Sequence, residues 1–148
     1  MIIDILKKIF LRDLTALRDE IAAYNSEESL WAIEKGISNA AGNLCLHIVG
    51  NLNTYIGAQL GNSGYIRNRE LEFSAKDIPK ADLILKVEAT IAVVIATLDS
   101  MNDVQLDDEY PILVLENKTS TAYFMIHLTT HLAYHLGQIN YHRRLVAF

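Results

Sequence analysis

Residues 127–140 read HLTTHLAYHLGQIN and hold three of the chain's five histidines, His127, His131 and His135, at intervals of four. His142 follows two residues later. Four residues of α-helix advance about 400°, so each such step turns the side chain by only about 40°. Positions 121, 124, 128, 131, 135, 138, 142 and 145 alternate steps of three and four, and read Thr, Phe, Leu, His, His, Gln, His and Leu. A seam with that spacing faces the interior of a helical bundle. His131 and His135 sit at its centre, where apolar residues are expected. Burying two imidazoles there is costly unless they find partners. One divalent cation would satisfy both, because the pair can present ring nitrogens to one point.

A metal needs a further ligand, which a facing helix would have to supply. His47 is the histidine outside the cluster, on the stripe Ala40, Leu44, His47, Asn51. Three histidines and a solvent position would make an open, catalytic-type site and not a closed structural one. His127 lies one turn before His131 and about 80° round the helix from His135. It is expected on a pocket wall or behind the ligands, with plain surface as the alternative. His142 points near the direction of His135 but about 10 Å further along, too far to share an ion. Exposure or interface packing is expected for it.

Other polar residues have two readings each. Asn43, Asn51 and Gln138 flank the candidate ligands by one turn, where they would hold ring tautomers or bound water, or make ordinary interhelical hydrogen bonds. Arg67, Arg69 and Glu70 would form an anion-recognising loop, or an ion-paired loop tying helix two to helix three. Tyr55, Tyr65, Tyr123, Tyr134 and Trp31 would line a pocket or fill core. The run Asp107, Asp108, Glu109 reads as a solvated turn. Position 128 is leucine, so HExxH is absent, as are GxSxG and a glycine-rich phosphate loop. Cys45 lies about 200° round its helix from His47 and reads as a small buried apolar residue.

The rest of the chain supplies the helices. Ile5, Ile9, Leu14, Leu17 and Ile21 place helix one over residues 3–24. Leu30, Trp31 and Ile33 predict a short helical turn with its bulk inward, broken by Gly36. Helix two is expected from an N-cap at Ser38 to about Leu60, stopping at Gly61. Residues 61–78 read as polar and irregular. Pro79 opens helix three, over about 80–101. Residues 102–118 read as acidic and then extended in PILVL, and KTST opens helix four, which reaches about Val146. The expected fold is an all-α four-helix bundle with long connecting loops, one domain over residues 1–148.

Composition narrows the function. The 148 residues are 51% hydrophobic with two prolines, and 13 basic against 18 acidic residues give a net charge of −5. That balance argues against a phosphate-tracking surface, so no nucleic-acid partner is expected. IAVVIATL, at 91–98, is too short to span a bilayer, and no membrane partner is expected. The start MIIDILKKIF lacks the layout of a secretory signal. One cysteine permits no intramolecular disulfide and fits a reducing, cytoplasmic setting. The apolar content points to a homodimer.

The mid-helix His47 and the HxxxH pair His131 and His135, running into Gly137-Gln138-Ile139, resemble the DinB-like (DinB/YfiT) superfamily of metal-dependent enzymes. GNLCLHIVGNL followed by YIRNRELEF resembles one of its subgroups. The resemblance covers nearly the whole chain. It implies a four-helix bundle, often dimeric, that binds a divalent metal through His47, His131 and His135. Relatives include thiol-dependent S-transferases and a maleylpyruvate isomerase that uses a thiol. The expected protein is therefore a metal-dependent transferase or hydrolase with a small-molecule substrate. Zinc and nickel both suit histidine ligands, and a low-molecular-weight thiol is the second expected cofactor. The other readings are a non-catalytic metal- or small-ligand-binding bundle, or a homodimeric interaction protein.

Overall fold

The computed structural model describes residues 1–147 of the chain. Its order is α1 (Ile2–Ala22), α2 (Glu27–Leu30), α3 (Ala41–Leu52), a π-helical stretch (Asn53–Ala58), α4 (Gln59–Gly61), α5 (Arg69–Ser74), α6 (Lys80–Asp99), a 3-10 turn (Asp103–Asp107) and α7 (Thr121–Leu145). The described residues form an all-α four-helix bundle. Its rods are α1, the continuous run from α3 through α4, α6 and α7.

Side-chain contacts give the directions. Lys7 pairs with Asp99, and the Lys80 ammonium donates to the Tyr24 carbonyl at the other end, so α1 and α6 are antiparallel. The Tyr24 hydroxyl donates to the Ile139 carbonyl and Arg143 pairs with Glu20, so α1 and α7 run together. Asn53 meets Thr90, and Gly61 abuts Thr97, so α3 and α6 are parallel. That parallel pairing requires the long crossover between α4 and α6.

The buried face of α1 comprises Ile3, Leu6, Phe10, Asp13, Leu14, Leu17 and Ile21. Ile5 is exposed and Ile9 half-buried, contrary to the expected face. The step of five from Ile9 to Leu14 turns off the stripe, whereas 3, 6, 10, 14, 17 and 21 stay on it through the bulkier Phe10. Ile33 also lies outside, and the early helical turn is α2, capped by Ser26.

Helix α3 is buried on nearly every side; only Leu46 is half-buried. Two glycines permit this. An added Cβ would meet the Trp31 indole at 2.6 Å from Gly42, and the Glu72 Oε2 at 1.9 Å from Gly50. The N-cap is Ala40, and Ser38 lies in the preceding loop. The Asn53 amide donates to the Val49 carbonyl at 2.8 Å and to Thr90 Oγ1 at 2.9 Å, at the point where the helix widens. Side chains that compete for a backbone carbonyl accompany such widening. Asn62, with φ +50, ends the rod in the left-handed conformation; Gly61 is the last helical residue and packs on Thr97.

The crossover is not wholly irregular. Asn68 accepts from the Leu71 amide at 3.1 Å and starts α5. In the 102–120 segment the extended expectation for PILVL fails. Two backbone bonds, Tyr110 to Thr119 and Thr121 to Asp108, flank an isolated bridge between Glu109 and Ser120. Pro111 offers no amide to continue it. Ser120 then caps α7, as the KTST cluster predicts.

His142 is buried, 6% exposed, and this corrects the exposed or interface placement. Its Nδ1 lies 2.7 Å from the Tyr24 hydroxyl and its Nε2 2.8 Å from the Ala32 carbonyl. One ring thus ties α7 to the end of α1 and to the loop that follows α2. No described helix is long and apolar enough to cross a membrane. His142→Ala removes the bonds to the buried Tyr24 hydroxyl and the half-buried Ala32 carbonyl, and is expected to lower stability by about 2 kcal/mol, measured by urea denaturation.

Candidate metal centre

His47 reaches the interior from α3, and His131 and His135 from α7. The His131 Nε2 lies 3.2 Å from the His47 Nε2 and 3.1 Å from the His135 Nε2. One ring nitrogen from each of the three falls within 4.8 Å of the others. Nitrogens bound to one zinc at about 2.0–2.1 Å are separated by about 3.3 Å at tetrahedral angles and about 2.9 Å at right angles. The two short separations lie between those values.

The far sides of the rings decide what the near sides offer. The His47 Nδ1 faces the Glu72 Oε1 at 3.1 Å, and the His135 Nδ1 faces the Gln138 Oε1 at 2.7 Å. Both oxygens accept, so each Nδ1 carries the ring proton and each Nε2 turns a lone pair inward. Lone pairs converging on one point repel unless a proton or a cation lies between them. The donor set therefore fits a divalent metal.

Glu72 is buried and firmly held. Arg67 donates to it through Nε at 2.8 Å and Nη2 at 3.0 Å. The Asn43 amide donates to the carbonyls of Glu72 and Ala75 at 3.0 and 2.8 Å, which fastens α5 across α3. Gly50 leaves room for the carboxylate. Phe73 covers the His47 ring at 4.9 Å between centroids, and Arg69 lies over Phe73 at 5.3 Å.

The expected residues divide accordingly. His47, His131 and His135 come together. Gln138 holds a ring, whereas Asn43 makes an interhelical tie. Arg67 is ion-paired with Glu72, and its Nη2 lies 3.4 Å from the His47 Nδ1; Arg69 is exposed and lies over Phe73, and Glu70 is exposed. Asn51 is buried with its Oδ1 unpartnered by protein. His127 stacks on Phe124 at 5.7 Å, and its ring centre is 6.4 Å from that of His131. It flanks the triad without joining it. Cys45 is fully buried, and desolvation pushes its thiol up to about 12, so it stays protonated and unreactive.

Glu72 and Phe73 escaped the sequence reading. The only trace of them is the Asn68 start signal followed by two acids. Hydropathy misleads here, because Leu71 is 54% exposed while Glu72 is buried.

A cavity of about 480 Å³ opens beside His135, between the loop at 34–39 and α7, with Leu44 at its base. A family model described as "Protein of unknown function (DUF1572)" matches residues 4–147. The chain belongs to the DUF1572 family. The match runs from the first turn of α1 past the end of α7, so the whole histidine triad of this DUF1572 chain lies within it. No curated protein matches the chain.

Acid opposes this DUF1572 site. Burial lowers the basicity of all three imidazoles, and the neighbouring rings lower that of His131 further, to about 4. An unfolded chain takes up these protons near 6.5, the ordinary histidine value. Between these values the unfolded state binds more protons, so stability falls as pH falls. Metal-free protein is expected to lose thermal stability from about pH 6.5 down to about 4, with His131→Gln flattening that slope.

Proposed function

We propose that the chain is a metal-dependent enzyme in which His47, His131 and His135 hold one divalent ion, zinc or nickel. The observation that carries this is the convergence of three ring nitrogens with two tautomers fixed from behind by Glu72 and Gln138. Three neutral ligands leave the charge of such an ion uncompensated, and when bound it supplies Lewis acidity toward water, a thiol or a substrate oxygen.

The residues of the chain have distinct tasks in this proposal. Glu72 holds the His47 ring and strengthens it as a donor. Arg67 neutralises Glu72, so the carboxylate does not cancel the positive charge of the centre. The bundle walls exclude bulk water from the His47 side, where the ring is buried under Phe73. The cavity beside His135 gives a small molecule a route to the triad. The resemblance to the DinB/YfiT superfamily favours thiol-dependent transfer, with a low-molecular-weight thiol as co-substrate, and hydrolysis next. A homodimer in the cytoplasm completes the proposal.

A second reading is a bundle that binds metal without catalysis. It is favoured by the position of His127, the one base candidate, which stacks on Phe124 to the side of the triad. Turnover of a thiol with an electrophile separates the two readings.

Protein purified without a polyhistidine tag is expected to contain about one zinc or nickel per chain, and His131→Ala almost none, by elemental analysis. Wild-type protein that stays metal-free after growth with both metals would falsify the proposal. Glu72→Ala is expected to weaken metal binding about 10- to 100-fold in a competition titration with a chromophoric chelator.

A further inference from the structure

The cavity beside His135 differs in character from the centre it adjoins. Leu44, Ile37 and Leu145 make its aliphatic wall, and Tyr134 and Tyr141 contribute rings. The Tyr134 ring stands edge-on to His135 at 5.2 Å between centroids. Its volume, about 480 Å³, suits one compact molecule.

The polar lining is mostly committed. Gln138 holds His135, and His142 bonds to Tyr24 and Ala32. Ser38 and Asn39 add a hydroxyl and an amide. Among the lining residues Glu34 alone carries a full charge; no lysine or arginine is among them. Arg144 sits over the Tyr141 ring at 5.1 Å but lies outside the lining. Arg67 is paired with Glu72 on the His47 side. An anionic group entering here would meet a carboxylate and find no cation on the wall. An ammonium would find that carboxylate and the Tyr134 ring, surroundings that favour organic cations, while the Tyr141 ring already carries Arg144.

We infer that this cavity is the substrate pocket of the centre, and that its protein walls favour a compact aromatic amine over anionic analogues of the same size. Assigning the occupant as substrate rests on the metal-enzyme reading; the charge selectivity rests on the cavity alone. The apolar walls flank the ring, the exposed Glu34 receives the ammonium, and His135 marks the end at which the ligand meets the triad.

The test is a titration of the full chain, as purified and after chelation, with benzylamine, benzyl alcohol and benzoate, followed by amide chemical shifts. In the chelated protein benzylamine is expected to bind about tenfold more tightly than benzoate, with benzyl alcohol between them and the shifts centred on Ile37, Leu44 and Tyr134. Glu34→Gln is expected to bring benzylamine to within about twofold of benzyl alcohol without changing metal content. Ile37→Trp, on the partly exposed rim, is expected to block all three. Benzoate binding the chelated protein as tightly as benzylamine, shifts lying elsewhere, binding indifferent to Ile37→Trp, or no binding at all would overturn the inference. Because the chelated protein is included, loss of the metal reading leaves this result standing, and the reverse also holds.

Discussion

Imidazoles drawn out of water must find a partner for each ring nitrogen, and this requirement organises the centre of the bundle, where His47 is buried and His131 and His135 half-buried. His47, His131 and His135 turn one nitrogen each toward a shared point. Those of His47 and His135 that point away are met by Glu72 and Gln138. The cost of leaving such groups unpaired inside a protein is of order 1–3 kcal/mol each. Packing alone does not cover it. The polar residues that come next, from Arg67 to Asn43, occupy the positions that close this set of bonds.

The crossover from α4 to α6 shows how far the requirement reaches. Its length follows from topology, since two parallel rods cannot be joined by a tight turn. The chain uses that length to bring Arg67 and Glu72 over α3. Asn68 starts α5, Asn43 pins its end, and Gly50 clears a space for the carboxylate. A segment with several exposed apolar side chains, Ile66 and Leu71 among them, thus positions a buried charge.

The four long helices were legible because their apolar periodicity is strong, and the triad was legible because histidines replaced apolar residues at fixed steps. Ser120, Pro79 and the break after Gly61 marked ends to within a residue or two. What escaped depends on contacts between distant segments. Ile5 resembles Leu6 in composition, and only the continuous 3-4 stripe through Phe10 tells which is inside. Ser38 is a better cap than Ala40 by type, yet the helix begins at Ala41. Glu72 is a charged residue that is buried because Arg67 and His47 wait for it, and no local pattern records that. His142 lies on the same seam as His131 and His135 and serves architecture instead, because Tyr24 and the Ala32 carbonyl come from elsewhere in the chain.

Two of the three nitrogen donors share one helix, and the third does not. The spacing between His131 and His135 is set by one turn of α7 and travels with it as a unit. The spacings to His47 depend on how α3 lies against α7. A small slide between those rods would leave a two-toothed grip intact while the third tooth lets go. An ion held by the three histidines would therefore lose one tooth of its grip to a relative slide of two packed helices, without any unfolding.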